Sequence, residues 1–238
     1  MANITRRSAL LCAGLLAGAL ISAPGSGAAA ALQKESRPVQ PVKQLVARGA
    51  IDVWVKRGPP AMQVIAEKPE NVVTNIRNGV LTIAQKPAHS GAGDGCFRIG
   101  NFGVTFRGGL SLCGEGQKVT IELSLPELPS AHLEGAVDLR LDDVRQDAIE
   151  LAIAGAGGIR VSGAVKHLSV KISGAGDVRA KDLHAQSAEL QVAGSGDIEA
   201  HVTQSLSAHI AGAGDIAVWG NPAQRDTRVL GAGNIRFK

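Results

Sequence analysis

Five near-copies of one pentapeptide, repeated at an almost constant interval, constrain this chain more than anything else in it. Gly-Ala-Gly-Asp-Val begins at Gly174, Gly-Ser-Gly-Asp-Ile at Gly194, Gly-Ala-Gly-Asp-Ile at Gly212 and Gly-Ala-Gly-Asn-Ile at Gly231. Gly-Ala-Gly-Gly-Ile precedes them at Gly155, and a decayed Gly-Ala-Val-Asp-Leu stands at Gly135. The starting glycines are 20, 19, 20, 18 and 19 residues apart. A period near 19 implies a solenoid in which each repeat stacks on the last.

Apolar residues hold fixed columns within the repeat. Two positions before the first glycine lie Leu133, Ile153, Ile172, Val192, Ile210 and Val229; four after it lie Leu139, Ile159, Val178, Ile198, Ile216 and Ile235. Six after it lie Leu141, Val161, Ala180, Ala200, Val218 and Phe237. They alternate with polar residues, as in Ile198-Glu199-Ala200, which is the period of a strand. The glycines between strands supply positive φ and close backbone approach at a corner. A helical reading fails because glycine and β-branched residues are too frequent. The fold expected is all-β, a right-handed parallel β-helix with repeats of about 19 residues and like side chains stacked about 4.8 Å apart.

Residues 1–30 read as an export signal. Arg6 and Arg7 form a charged start that resembles a twin-arginine signal, with Ala9 where that pattern prefers Phe, so ordinary secretion is the alternative. Leu10 to Ile21 is apolar but too short and glycine-rich for a membrane span, and Ala28-Ala29-Ala30 offers a cleavage region. Cys12 follows Leu11, which does not suit a lipoprotein site. Removing Arg6 and Arg7 from the 25 basic residues leaves 23 against 21 acidic ones, a net charge of +2. With no basic run, no Tyr and only 3% aromatic residues, the chain lacks what a nucleic-acid surface needs, and also the usual aromatic lining of a sugar groove.

Residues 31–42 read as a linker and 43–238 as a single β-helical domain. Within it, 43–86 form irregular first turns, 89–117 a glycine-rich insert and 131–238 the regular repeats. Asn78-Gly79 between Ile76 and Val80-Leu81-Thr82-Ile83 predicts a hairpin. The insert carries Cys96 and Cys113, expected to pair in an exported chain, with two buried thiols as the alternative.

The chain resembles the GIN-domain family, described as an auto-transporter adhesin head. Ile51-Asp52-Val53 through Asn78-Gly79-Val80-Leu81-Thr82-Ile83 and the Gly-Ala/Ser-Gly-Asp ladder carry the match, over about Lys43 to Lys238. The resemblance implies an exported right-handed β-helical domain and no established catalysis; the insert from His89 to Gln117 is least like the pattern.

Asp138, Asp177, Asp197 and Asp215 share one column, with Gly158 and Asn234 filling it elsewhere. A cation ladder is one reading, because carboxylates about 5 Å apart repel by about 1 kcal/mol in water. Replacement by Asn and Gly favours the other, in which each Asp accepts hydrogen bonds from N–H groups of its own glycine turn. The calcium nonapeptide spacing is not met. His167, His184 and His201 fall at different distances from their glycines, and His209 should face outward. No metal, cofactor or catalytic residue is expected.

The function expected is a non-catalytic, exported cell-envelope module, in the periplasm or at the cell surface, acting as scaffold or interaction surface, adhesin-like or sensory. Its partners would be an envelope protein or surface glycan, with no nucleic acid and no transmembrane span in the mature chain. The alternative is a carbohydrate-active β-helix enzyme using Asp177 and Asp197, against which stands the expectation of no Arg or Lys column beside them. The last rung is expected to be covered by Trp219 or Phe237, or buried in an end-to-end homodimer, with Arg236 and Lys238 as charges on the edge.

Overall fold

In the computed structural model the described residues are 31–86 and 119–238, together with the backbone of three strands between them. The chain forms a β-solenoid of about five turns with a spacing of roughly 20 residues. Its irregular first part contains β1 (Gln33–Arg37), β2 (Gln44–Gly49), β3 (Ile51–Arg57), β4 (Ala61–Ala66), β5 (Val72–Arg77) and β6 (Val80–Gln85). The insert holds β7 (Gly95–Ile99), β8 (Phe102–Phe106) and β9 (Leu110–Cys113), and β10 (Val119–Leu125) and β11 (Ser130–Gly135) lead into the repeats. These are β12 (Asp138–Gly155), β13 (Gly158–Gly174), β14 (Asp177–Gly194), β15 (Ile198–Gly212), β16 (Ile216–Trp219), β17 (Gln224–Gly231) and β18 (Ile235–Phe237).

Each long strand bends from one ladder into another. The first ladder runs β1-β4-β10-β3-β12-β13-β14-β15-β16-β18. A second runs from β6 through β2 and β11 into the later halves of β12 to β15, and ends at β17. Within this sheet all pairings are parallel except those of β4 with β1 and β10 and of β5 with β6, while β7, β8 and β9 form a separate antiparallel sheet. The three apolar columns close into one core: Val178, Ile198 and Ile216 are in register and fully buried, and Ile172, Val192 and Ile210 are in register and buried in the second ladder. Register shifts at the bends, such as that between Leu141 and Val144, absorb the drift between 18 and 20 residues.

The glycine corner works as the spacing requires. Gly194 has φ +144, and a Cβ on it would overlap the carbonyl oxygen of Gly174 one rung below. That oxygen instead accepts the N–H of Ser195 at 2.9 Å, a bond repeated at Ala175 and Ala213 with the same length. The column reaches one rung further than the sequence reading placed it. Gly49 lies in register with Gly135, so Gly-Ala-Ile-Asp-Val at 49–53 is another copy of the repeat. It is hidden because Gly135 lies 86 positions further on, with β4 to β10 between the two copies.

The hairpin at Asn78-Gly79 forms, with φ +52 and +76 at the two turn residues. The segment 31–42 is not simply a linker. Gln33–Arg37 pairs with the edge of β4, and its entirely polar composition concealed it because only Arg37 turns inward. The Arg37 guanidinium, 15% exposed, donates to the carbonyls of Val72 at 2.7 Å and Pro69 at 2.9 Å and to Thr74 Oγ1 at 3.1 Å. Its bond to Glu35 holds that carboxyl below the ordinary carboxylate range.

At the other end, Val229 and Ile235 keep their column positions, but β17, the last strand of the second ladder, is exposed throughout. Phe237 stands under the Arg225 guanidinium, 4.1 Å from its centroid, while Trp219 faces outward beneath Lys238 Nζ at 4.8 Å.

Candidate functional site

The outward positions of the first ladder carry the chemistry. The aspartate column forms as the spacing dictates and extends down to Asp52, which lies in register with Asp138. Its hydrogen bonding differs from the sequence expectation in one respect: the donors are not in the same turn. Asp138 Oδ1 accepts the N–H of Gly158 at 3.0 Å, Asp177 that of Asp197 at 3.1 Å, Asp197 that of Asp215 at 2.8 Å, and Asp215 that of Asn234 at 2.9 Å. Each carboxylate therefore ties its rung to the next. At this corner the side chain supplies the acceptor for the N–H of Asp197, Asp215 and Asn234, while the N–H of Gly158 is shared with Val137 O at 3.1 Å. At the rung where Gly158 has no side chain, the N–H of Asp177 turns to Gly157 O instead, at 3.2 Å.

Beside this column stands one that the sequence reading denied. Two residues beyond each Asp position lie Arg140, Arg160 and Arg179, in direct register on neighbouring strands. Counting the fifth residue after each first glycine would have found them. Glu199, Ala217 and Arg236 continue the column, and Trp54 precedes it. Arg236 pairs diagonally with Asp215 one rung below, Nη2 to Oδ2 at 2.9 Å. For Arg179 the corresponding position below is Gly158, which has no carboxylate. Among the described residues neither Arg160 nor Arg179 has an ion-pair partner. Arg140 is held in place: Asp142 accepts its Nε at 2.9 Å and the Trp54 Nε1–H at 2.7 Å, and the guanidinium lies 5.2 Å from the centroid of the indole.

These columns border a groove of about 530 Å³ lined by Trp54, Asp138, Arg140, Gly158, Arg160 and Arg179. That volume lies within the ordinary range for small-ligand sites. Gly158 forms its notch. A Cβ there would press on the tip of the Asp138 carboxylate, at 2.9 Å, and reach ordinary contact with the carbonyl oxygen of Asp177 at 3.9 Å.

Among the described residues no group of three His, Cys, Asp or Glu side chains converges as a metal site. His184 and His201, which counting from the glycines had kept apart, are brought into register by the shift after Ala180 and meet edge to face at 4.4 Å between centroids. His167 instead lies 3.0 Å from the Ser187 hydroxyl.

Cys96 and Cys113 fall in the glycine-rich insert. They lie on β7 and β9, the outer strands of a small antiparallel sheet, Cys96 opposite Thr105 and Cys113 opposite Gly103 on the intervening β8. The expected bridge is a matter of the two side chains, which, like residues 1–30 with the export signal, lie outside the described residues.

Among the described residues no helix is long and apolar enough to cross a membrane. The fold is shared with solved bacterial structures at low identity. One is titled a putative adhesin from Bacteroides fragilis, 15% identical with a TM-score of 0.64, covering 87% of this chain and 97% of that one. Two come from Parabacteroides distasonis, each also covering 87% and 97%. One is titled a putative lipid binding protein, 18% identical with a TM-score of 0.52, and the other a putative adhesin, 19% identical with a TM-score of 0.50. The sequence matches no curated protein. The family model described as "Putative auto-transporter adhesin, head GIN domain" matches residues 42–222. With that match running from the first core strands to the last turns of the solenoid, the chain belongs to the GIN-domain family.

Proposed function

We propose that this chain is an exported, non-catalytic module of the cell envelope that acts as an adhesin-like interaction surface. The observation that carries the reading is the outward face of the first ladder, where Trp54, Arg140, Arg160 and Arg179 project from four adjacent strands fixed by main-chain hydrogen bonds. Such a face is preorganised: little ordering entropy remains to be lost on binding. Arg6, Arg7, the apolar stretch after them and Ala28-Ala29-Ala30 support export to the periplasm or cell surface.

A second reading, a carbohydrate-active enzyme, has a specific observation in its favour. The guanidinium column lies beside the carboxylates of Asp138 and Asp177, the pairing an enzyme acting on acidic sugars would require. Against it, Asp138, Asp177, Asp197 and Asp215 each use an oxygen to hold the next rung. One experiment separates the two readings. Residues 31–238 are incubated with isolated cell-envelope polysaccharide; retention without release of new reducing ends or unsaturated products is expected. Sustained product release would make the second reading the right one.

A further inference from the structure

We propose that the groove centred on Gly158 binds an acidic glycan, a chain of uronic acid residues whose carboxylates meet Arg160 and Arg179 and whose sugar ring packs on Trp54. This inference rests on the interaction-module reading and names the ligand class of the same site.

Three observations converge on it. The first is unspent charge. Arg140, Arg160 and Arg179 project from consecutive strands, about 4.8 Å apart along the ladder. Like charges at that spacing repel by about 1 kcal/mol in water and more where solvent is displaced. Arg140 is relieved by Asp142, but Arg160 and Arg179 have no such partner among the described residues. The Arg236–Asp215 pair shows how the repeat neutralises an arginine when the Asp column is filled. At Gly158 the column is not filled, and this one substitution leaves Arg179 uncompensated and opens the notch beneath it.

The second observation is that the groove is mixed in sign. Asp138 and Asp177 line it with the arginines. A bare polyphosphate brings charge and acceptors but no hydroxyl donor for those carboxylates. A uronic acid chain suits both groups: its carboxylates pair with guanidinium, bidentately where geometry permits, and its hydroxyls donate to carboxylate oxygens.

The third is the indole of Trp54, 44% exposed on a protein with two Trp and no Tyr. Asp142 fixes it from Nε1 while Arg140 lies over the ring. A rigid aromatic surface at one end of a row of guanidiniums is an apolar platform for the C–H face of a pyranose, as apolar lining with few polar groups is in other ligand sites.

The test is titration calorimetry of residues 31–238 with tetragalacturonate, beside a neutral glucose tetramer and phosphatidylglycerol vesicles. Binding of the uronate alone is expected, weakening as ionic strength rises. Gly158→Asp, Arg160→Gln and Arg179→Gln should each weaken it by about tenfold, the loss of one charge-assisted contact. Arg236→Gln, outside the groove, should leave it unchanged, and equal melting temperatures establish that the groove variants are folded. Absence of uronate binding, equal binding of the neutral tetramer, preference for the vesicles, or indifference to all three groove substitutions would each overturn the inference. Retention on envelope polysaccharide without uronate binding overturns only this inference. Uronate binding accompanied by cleavage overturns only the non-catalytic reading.

Discussion

Asp197 Oδ1 accepts the main-chain N–H of Asp215, one rung higher, at 2.8 Å. Because the bond needs an oxygen and not a charge, Asp197→Asn should be near neutral. Asp197→Ala should cost about 0.5–1.5 kcal/mol, the net worth of one hydrogen bond. Millimolar calcium should leave the melting temperature unchanged. A ligand present at 100 times its dissociation constant would add about 2.7 kcal/mol, so a calcium-dependent rise lost in Asp197→Asn would show the column to be a cation ladder after all.

Ile198 is fully buried between Val178 and Ile216, while its neighbour Glu199 faces outward. Ile198→Ala should cost about 2–5 kcal/mol in denaturant unfolding. Glu199→Ala should stay within about 0.5 kcal/mol. Similar losses at both positions would contradict the assignment of faces.

Two glycines of the same motif should respond differently to a single methyl group. A Cβ on Gly196 would overlap the carbonyl oxygen of Gly176 and press on Ile172, both within the stack, so Gly196→Ala should separate two rungs and cost more than about 3 kcal/mol. At Gly158 the only close neighbour is the end of the Asp138 side chain, which can swing away at the cost of its bond to the Gly158 N–H, a donor that keeps Val137 O at 3.1 Å, so Gly158→Ala should cost about 1 kcal/mol, well below Gly196→Ala. Melting temperatures of the two variants decide it.

Arg37 is the anchor of β1, through its bonds to Val72, Pro69 and Thr74. Arg37→Met should abolish hydrogen-exchange protection at residues 33–37 and leave the repeats untouched. Glu35 titrates below its ordinary range because Arg37 bonds it. Its help to β1 is therefore complete above the ordinary carboxylate pKa and disappears as pH falls through the lowered one. Protection of β1 that did not weaken on acidification would show that this pair contributes nothing.

The last strands present apolar surface: Leu230 is 66% exposed and Val229 39%. We propose that two copies associate end to end through this surface, restrained by Arg236 and Lys238. The double variant Arg236→Thr, Lys238→Thr should show a mass that rises with concentration in light scattering, and adding Leu230→Lys should reverse it. A double variant that stays monomeric would mean that Phe237 beneath Arg225 already closes the edge.

What could be read from the residues, and what could not, follows from the distance over which each signal acts. Columns such as Val178–Ile198–Ile216 are periodic, so their stacking was legible. Gly49 was missed because period-finding compares neighbouring windows and its partner Gly135 is 86 residues away. β1 was missed because Gln33–Arg37 has no apolar face; it is held by a cross-chain guanidinium that leaves no local pattern. The aspartates were recognised as hydrogen-bond acceptors, but their donors were sought in the same turn, since sequence does not show what stacks above a side chain. The arginine column had a plain periodic signal and was passed over. The notch at Gly158 has meaning only beside Arg160 and Arg179.

Because each carboxylate satisfies a donor on the rung above, a turn makes its bonds only to the turns on either side of it. Gene duplication of one 19-residue unit would insert a rung that finds the same acceptor below and offers the same acceptor above. Each such event would lengthen the outward columns by one position, and its choice of Asp or Gly, Arg or Glu, would add a charge or a gap at a fixed pitch. Valency toward a polymeric ligand can thus change by whole steps, without redesign of the core.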